Sequence, residues 1–338
     1  MAITALLGAG IFLALDLPLP WMIGPMLTTI VLKMKYPEMV FFPIKWRNLF
    51  LIPLGYNIGA HITLAACYEI MAQLMGISIA TILSIGISLI LAWWTVKSTG
   101  ITMASSAVGN MPGGLTPMLL LCESIPSADI NAVAVIQSIR LMTTIAVVPI
   151  LLTHGLGAAA VNTGTMEAIE YLDTPAWLLI AVAVIGALAA HKIKFPAAFF
   201  MGPIVAIGGL SLYFGGNLPE APVWLISLSQ VCTGVFLGTC IDPFQLGHNR
   251  KLLPVTLSGA FILIISSLFV GYLLSKYYGF TVATAFLATA PGGVAEMSIT
   301  GMVLGENVPI ILAYQLFRML FLNIVMPPAL KWYFTRNH

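Results

Sequence analysis

From Ile77 to Val96 the chain runs for twenty residues without a charged side chain. About twenty apolar residues are what an α-helix needs to cross the ~30 Å hydrocarbon core of a bilayer. Comparable runs recur at Ala176–Ala190 and Phe261–Leu274. A helix satisfies its backbone hydrogen bonds within its own segment, as lipid requires. A transmembrane β-barrel would instead alternate apolar and polar residues over strands of about ten, and these runs do not alternate. Charged residues make up only 8% of the 338 and hydrophobic residues 59%. A soluble protein carries roughly 25% charge, so this chain could not cover a water-facing surface. It reads as an all-α polytopic membrane protein, with room for about ten to twelve helices of ~20 residues each.

The other counts exclude more than they identify. Net charge is +2 and the basic residues are scattered, so no nucleic-acid partner is expected. The expected partners are the lipid bilayer and a small-molecule solute, with a homodimer left open. Cys67, Cys122, Cys232 and Cys240 form no CxxC pair and no metal-ligand spacing. They read as free thiols, and no metal or cofactor is expected. The apolar run from Ala2 to Leu15 lacks a basic leader and a small-residue cleavage site. It reads as a first membrane helix rather than a signal peptide.

The chain repeats itself. At an offset near 178, Trp21-Met-Ile-Gly24-Pro25-Met recurs as Phe199-Phe-Met-Gly202-Pro203-Ile, with Pro18 matching Pro196. Gly55-x-x-x-Gly59 recurs as Gly234-x-x-x-Gly238. Asn110-Met-Pro112-Gly113-Gly114-Leu-Thr-Pro117-Met118 recurs as Thr289-Ala-Pro291-Gly292-Gly293-Val-Ala-Glu296-Met297. Gln137-x-x-Arg140 recurs as Gln315-x-x-Arg318, and Pro149 as Pro327. Matched spacing over this length indicates a duplicated architecture. The expected organisation is one membrane repeat at 1–153, a polar linker at 154–174 and a second repeat at 175–338. Apolar segments fall near 2–15, 18–32, 48–66, 70–96, 100–122 and 130–152, then near 176–190, 196–214, 222–241, 252–275, 281–302 and 308–330.

In the fifth segment of each half, Pro-Gly-Gly interrupts the apolar run and breaks the helix. Each arm is about ten residues, or ~15 Å, half of a bilayer core. Such a segment either crosses as an unwound helix or returns as a re-entrant hairpin. Basic residues concentrate on the cytoplasmic side of a membrane protein, and here they favour an odd number of crossings per half. With five crossings and an inverted second half, eleven Lys and Arg share one side and only Lys276 lies opposite; with six crossings the split is eight to four. The expectation is therefore two inverted repeats of about five transmembrane helices, each with a broken or re-entrant segment. Ten crossings in a bacterial inner membrane would leave both termini cytoplasmic.

Few residues within the membrane could carry chemistry. Arg140 and Arg318 sit at matched places deep in apolar runs, where arginine is costly and faces the bundle interior. They could bind solute, or cap the carbonyls of a broken helix. Glu296 is the one carboxylate expected at membrane depth, opposite Pro117 in the first repeat. It could carry a proton, ligate sodium, or pair with Arg318. The arm after each break begins with unpaired N–H groups and the positive end of a helix dipole. Gly113, Gly114, Gly292 and Gly293 would let an anion approach these ends. Gln137 and Gln315 lie one turn before the arginines, on nearly the same face. Asn110, Thr116 and Thr289 are weaker candidates, while Asn57, His61 and Asn323 read as interhelical hydrogen-bonding residues. The Gly24-Pro25 and Gly202-Pro203 pairs are expected to kink their helices.

The duplicated set of a Trp-Met-x-Gly-Pro-Met helix, a Pro-Gly-Gly-x-x-x-Met segment and a Gln-x-x-Arg helix resembles the AbrB-type membrane protein family. Its members are often labelled ammonia monooxygenases, and it is distinct from the small soluble DNA-binding regulator of that name. Ala290-Pro-Gly-Gly-Val-Ala-Glu296-Met looks most like the family pattern, and Pro117 departs from it. The resemblance implies a ten-helix-class protein in the style of secondary transporters. A monooxygenase would need metal ligands, yet only His61 of the five histidines falls inside an expected helix. The chain therefore reads as no enzyme. The expected function is secondary active transport, proton- or cation-coupled, of a small anionic or zwitterionic organic solute by alternating access around a midplane site. Substrate-binding residues would be Gly113, Gly114, Gly292, Gly293, Arg140, Arg318, Gln137 and Gln315, with Glu296 as the coupling residue. A channel, or a membrane-embedded sensor, is the alternative.

Overall fold

The computed structural model describes residues 1–156, 176–216, 218–240 and 251–336. Among these residues the regular structure is helical throughout, with no strand. The expected linker lies outside the described residues from 157 onward.

The first repeat forms α1 (Ala2–Ala14), α2 (Pro20–Lys35), α3 (Ile44–Ala60), α4 (Leu64–Ala72) and α5 (Leu74–Thr99). It continues with α6 (Met103–Asn110), α7 (Leu115–Glu123) and α8 (Ile130–Ile150). The second forms α9 (Ala176–Lys192), α10 (Ala198–Tyr213), α11 (Val223–Cys240) and α12 (Leu252–Tyr278). It ends with α13 (Val282–Thr289), α14 (Val294–Val303), α15 (Val308–Ile324) and α16 (Met326–Arg336). Five stretches are long and apolar enough to cross a membrane: Leu74–Thr99, Ile130–Gly155, Val223–Cys240, Leu252–Tyr278 and Val308–Phe334. Helices α1, α9 and α10 are apolar but shorter. At 1.5 Å per residue, 13 residues of α1 span ~20 Å, short of the ~30 Å core. The protein is an all-helical membrane-type chain with about five candidate spans.

The segment expected at 48–66 is not straight. Helices α3 and α4 meet at 90°. His61 Nδ1 bonds back to the Asn57 carbonyl, and the Thr63 hydroxyl accepts from Ala66 N–H. The second contact is an N-cap, which starts a new helix in a new direction. The run expected at 308–330 departs from helix only at Val325, just before Pro327 and Pro328, and remains one membrane-long stretch. Gly24-Pro25 and Gly202-Pro203, in contrast, lie inside α2 and α10 as assigned.

The repeat is visible in the backbone. Among the described residues the non-glycine positions with positive φ are Asp16, Leu19, Lys194 and Ala197, two matched pairs at the same offset. They form the same tight turn ahead of α2 and α10, with equivalent hydrogen bonds Leu17 N to Phe12 O and Phe195 N to Ala190 O.

The helices sort into two compact units, each drawing on both repeats. One comprises Met1–Ala72, Gly157–Cys240 and Met302–Pro309. Its glycines bring backbones together: Gly8 on Gly24, and Gly186 on Gly202. Gly234 and Gly238 of α11 pack on the carbonyls of Met22 and Met26 in α2, while Gly55 and Gly59 of α3 pack on those of Phe200 and Ile204 in α10. In both pairs the numbering rises together, so the paired helices run parallel. The other unit comprises Gln73–Leu156, Ile241–Gly301 and Ile310–His338. It holds both Pro-Gly-Gly breaks, both buried arginines and the long helices α5 and α12.

Candidate functional site

Each break is held by an arginine and a glutamine from the second helix after it, α8 or α15. Arg140 and Gln137 lie on α8, three residues apart and so on one face, and both are buried. The Arg140 guanidinium donates from Nη1 to the carbonyls of Met111 (2.7 Å) and Asn110 (3.2 Å), and from Nη2 to Gln137 Oε1 (2.7 Å). The Gln137 amide donates to Val108 O (3.0 Å) and Met111 O (2.9 Å). On α15 the equivalent pair makes equivalent bonds. Arg318 donates to Thr289 O (2.8 Å), Ala290 O (2.9 Å) and Gln315 Oε1, and Gln315 Nε2 donates to Leu287 O (2.7 Å) and Ala290 O (3.0 Å).

These carbonyls are the orphan acceptors at the C-terminal ends of α6 and α13, where the helix dipole is negative. A guanidinium supplies five donors and a full positive charge, so it answers both needs. Of the two roles open for the arginines, capping is the one these contacts make. Nε of Arg140 has no partner and is buried.

The second arms start differently from each other. Gly114 caps α7 with φ of +92°, a conformation that non-glycine residues rarely adopt. No acidic residue stands in the first turn of α7. At the second break Gly293 does not share the positive φ, and Glu296 lies in the first turn of α14. The Glu296 carboxylate folds back onto Gly293, with Oε2 where a Cβ would stand. Only 6% of Glu296 is exposed. Among the described residues neither an ion pair nor a hydrogen bond reaches its carboxylate, so it is not the partner of Arg318. Glu296 stands in the first turn of α14, where the helix dipole favours a negative group.

Gly113 and Gly292 share one environment. The methyl ends of Met118 and Met297 fill the space a side chain would need. The two methionines are fully buried; their recurrence at one offset was the signal in the sequence for this packing. Asn110 donates to Ser106 O (3.0 Å), and Thr289 donates to Ser267 O (2.8 Å). Beside Thr289 a gap of about 10 Å³ is lined by Ser84, Ser266 and Ser267, room for roughly one water molecule. The side chain of Thr116 lies outside the described residues.

Of the three isolated polar residues, Asn57 and His61 are satisfied, in the unit without the breaks. Asn323 Oδ1 is buried without a partner, and nothing in the structure explains it. Among the described residues Cys67, Cys122, Cys232 and Cys240 form no disulfide.

The sequence matches the family described as "Transition state regulatory protein AbrB" over residues 21–334. It is 25% identical over 333 residues to "Uncharacterized protein YhjN" of Bacillus subtilis (strain 168), covering 91% of this chain and 85% of that protein. It is 26% identical over 328 residues to "Putative regulator AbrB" of Escherichia coli (strain K12), covering 94% and 91%. With nearly its whole length matched, the chain belongs to the AbrB family.

Proposed function

We propose that the protein is a secondary active transporter for a small anionic or zwitterionic organic solute, coupled to a proton or another cation through Glu296. The observation that carries this reading is the pair of Pro-Gly-Gly breaks within one compact unit, each stabilised by a buried Arg–Gln clamp. Broken helices at bilayer depth are tolerated where they line a cavity, and transporters use their free ends as ion and substrate sites. Capping the C-terminal ends of α6 and α13 leaves the N-terminal ends of α7 and α14 for ligands. An anionic group suits the open end at Gly113 and Gly114; at Gly292 and Gly293 a cation suits Glu296. Arg140, Arg318, Gln137 and Gln315 contribute fixed donors and positive potential. The site binds and releases; it has no bond to make, so the protein is not an enzyme and needs no cofactor.

Inverted repeats fit the same reading. α11, third in its repeat, runs parallel to α2, second in its own, and α10 runs parallel to α3. Successive membrane helices alternate in direction, so parallel packing of a second with a third helix supports a reading in which one repeat is upside down. Two inverted repeats make ten crossings in a bacterial cytoplasmic membrane, with both termini inside, a basic cytoplasmic face and alternating exposure of a midplane site. The partners are the bilayer, the solute and, in a homodimer, a second copy; nucleic acid is not among them.

The test is uptake into proteoliposomes of a panel of organic anions and amino acids under imposed proton or sodium gradients. Uphill uptake that Glu296→Gln uncouples is the expected result. Uptake that stays downhill under every gradient makes the protein a facilitator. Binding without uptake makes it a sensor, a reading favoured by the regulator name of the Escherichia coli relative. Cysteines placed at Lys45 and Lys192, both exposed, should be labelled only from the cytoplasmic side; labelling from opposite sides excludes the inverted arrangement.

A further inference from the structure

His61 is the residue just beyond α3, at its C-cap, and its side chain is 48% exposed. Both ring nitrogens face oxygen acceptors: Nδ1 lies 2.7 Å from the Asn57 carbonyl and Nε2 lies 2.8 Å from Glu220 Oε1. A neutral imidazole carries one N–H and can serve only one of them; the imidazolium serves both. Glu220 belongs to the connection between α10 and α11, its side chain is 15% exposed, and its second oxygen is buried without a partner. Two more side chains of α3 grip the same connection. Tyr56 donates to Pro219 O (2.6 Å), and Asn57 Oδ1 accepts from Ala221 N–H (3.1 Å). Residues 219 to 221 are thus tied to the end of α3, beside its 90° bend into α4.

We propose that His61 and Glu220 form a proton-operated latch, closed when His61 is an imidazolium, that fixes the α10–α11 connection to the end of α3. The latch is independent of the transport reading, since its residues lie in the unit without the breaks. Among the described residues Glu220 is the only charged group bonded to the ring. The other titratable groups of the surrounding segments are Lys45, Arg47 and Tyr56 on α3, Cys67, Tyr68 and Glu69 on α4, Tyr213 on α10, Cys232 and Cys240 on α11, and Glu306 in the 302–309 segment. Tyr56 is committed to Pro219, Tyr213 is exposed, and Glu69 accepts from Asn307.

The Glu220 carboxylate and the Asn57 carbonyl both favour the ring form that carries two N–H groups. The sign follows. A raised folded-state value means the latch contributes its full stability below the unfolded value and loses it as pH rises through the folded value. Opening the latch frees the Ala221 amide.

The experiment is hydrogen–deuterium exchange of the full-length protein in detergent at several pH values, corrected for the intrinsic pH dependence of amide exchange. Protection of the Ala221 amide, which donates to Asn57 Oδ1, should fall as pH rises, roughly tenfold for each unit by which the latch raises the imidazole. Glu220→Gln should flatten that dependence, and His61→Gln should leave protection low at every pH. Equal protection of the wild type at acid and alkaline pH overturns the latch, as does a pH-dependent loss that persists in His61→Gln. Should either variant fail to fold, ¹⁵N chemical shifts of the His61 ring in the wild type decide. A ring that titrates at or below the ordinary value overturns the proposal; one that titrates above it bears it out.

Discussion

At the first break Gly114 turns with φ of +92° and Pro117 occupies the following turn; at the second, Glu296 stands where Pro117 does and its carboxylate lies against Gly293. Around these positions the two breaks share the arginine, the glutamine, the carbonyls they hold and the methionine beneath the first glycine. Duplication has preserved the part that stabilises a broken helix and changed the part a ligand would meet. One helix N-terminus is left without an anion of its own, while the other carries a built-in carboxylate. Two ends so different suit different ions, which the proposed coupling of solute to cation would require.

The shared frame makes the largest prediction. Arg318→Ala leaves the carbonyls of Thr289 and Ala290 without their charged donor in a buried site. Each hydrogen bond to a charged group contributes about 1.5–3 kcal/mol, so the loss should reach ~3 kcal/mol or more. Arg140→Ala should cost a similar amount. Thermal unfolding in detergent checks both, with Arg→Lys variants falling between because an ammonium keeps the charge but loses the fork geometry. Stability close to wild type in either Arg→Ala variant would mean that its clamp does not hold the break.

The next effect separates the breaks. Gly293→Ala forces the Glu296 carboxylate from its place, a steric and electrostatic cost of about 1–3 kcal/mol. If the carboxylate is the obstacle, Glu296→Ala should recover most of that loss in the double variant. A double-mutant cycle reads the coupling directly. Gly114→Ala should cost about 1–2 kcal/mol for its positive φ, and no change at Pro117 should recover it. Similar coupling at both breaks would erase the distinction between them.

The sequence displayed the frame clearly and its use less so. Arg140, Arg318, Gln137 and Gln315 stood out because polar side chains are rare at membrane depth and these recur at one spacing. What the arginines bind was hidden: their acceptors are backbone carbonyls, which every residue has and no residue type advertises. Glu296 stood out by its charge, but its isolation from Arg318 depends on where two side chains point. The turn after His61 was missed as well, because a Thr63 cap inside an apolar run resembles any other threonine in a membrane helix. The two units were also illegible, since they assemble helices from both repeats through contacts distant in sequence.

The smallest prediction tests whether the two frames are as alike as their contacts indicate. Gly113→Ala and Gly292→Ala each push a methyl group into the end of a methionine, Met118 or Met297. Methionine is flexible and moves aside more readily than backbone does, so each change should cost about 1 kcal/mol or less. The two losses should agree, because the local packing is the same. A much larger loss at Gly292 would place the asymmetry in the frame itself, with Glu296 stiffening the turn so that Met297 cannot yield. Equal losses would confine the asymmetry to Gly114, Pro117, Gly293 and Glu296, the positions that face the ends of α7 and α14.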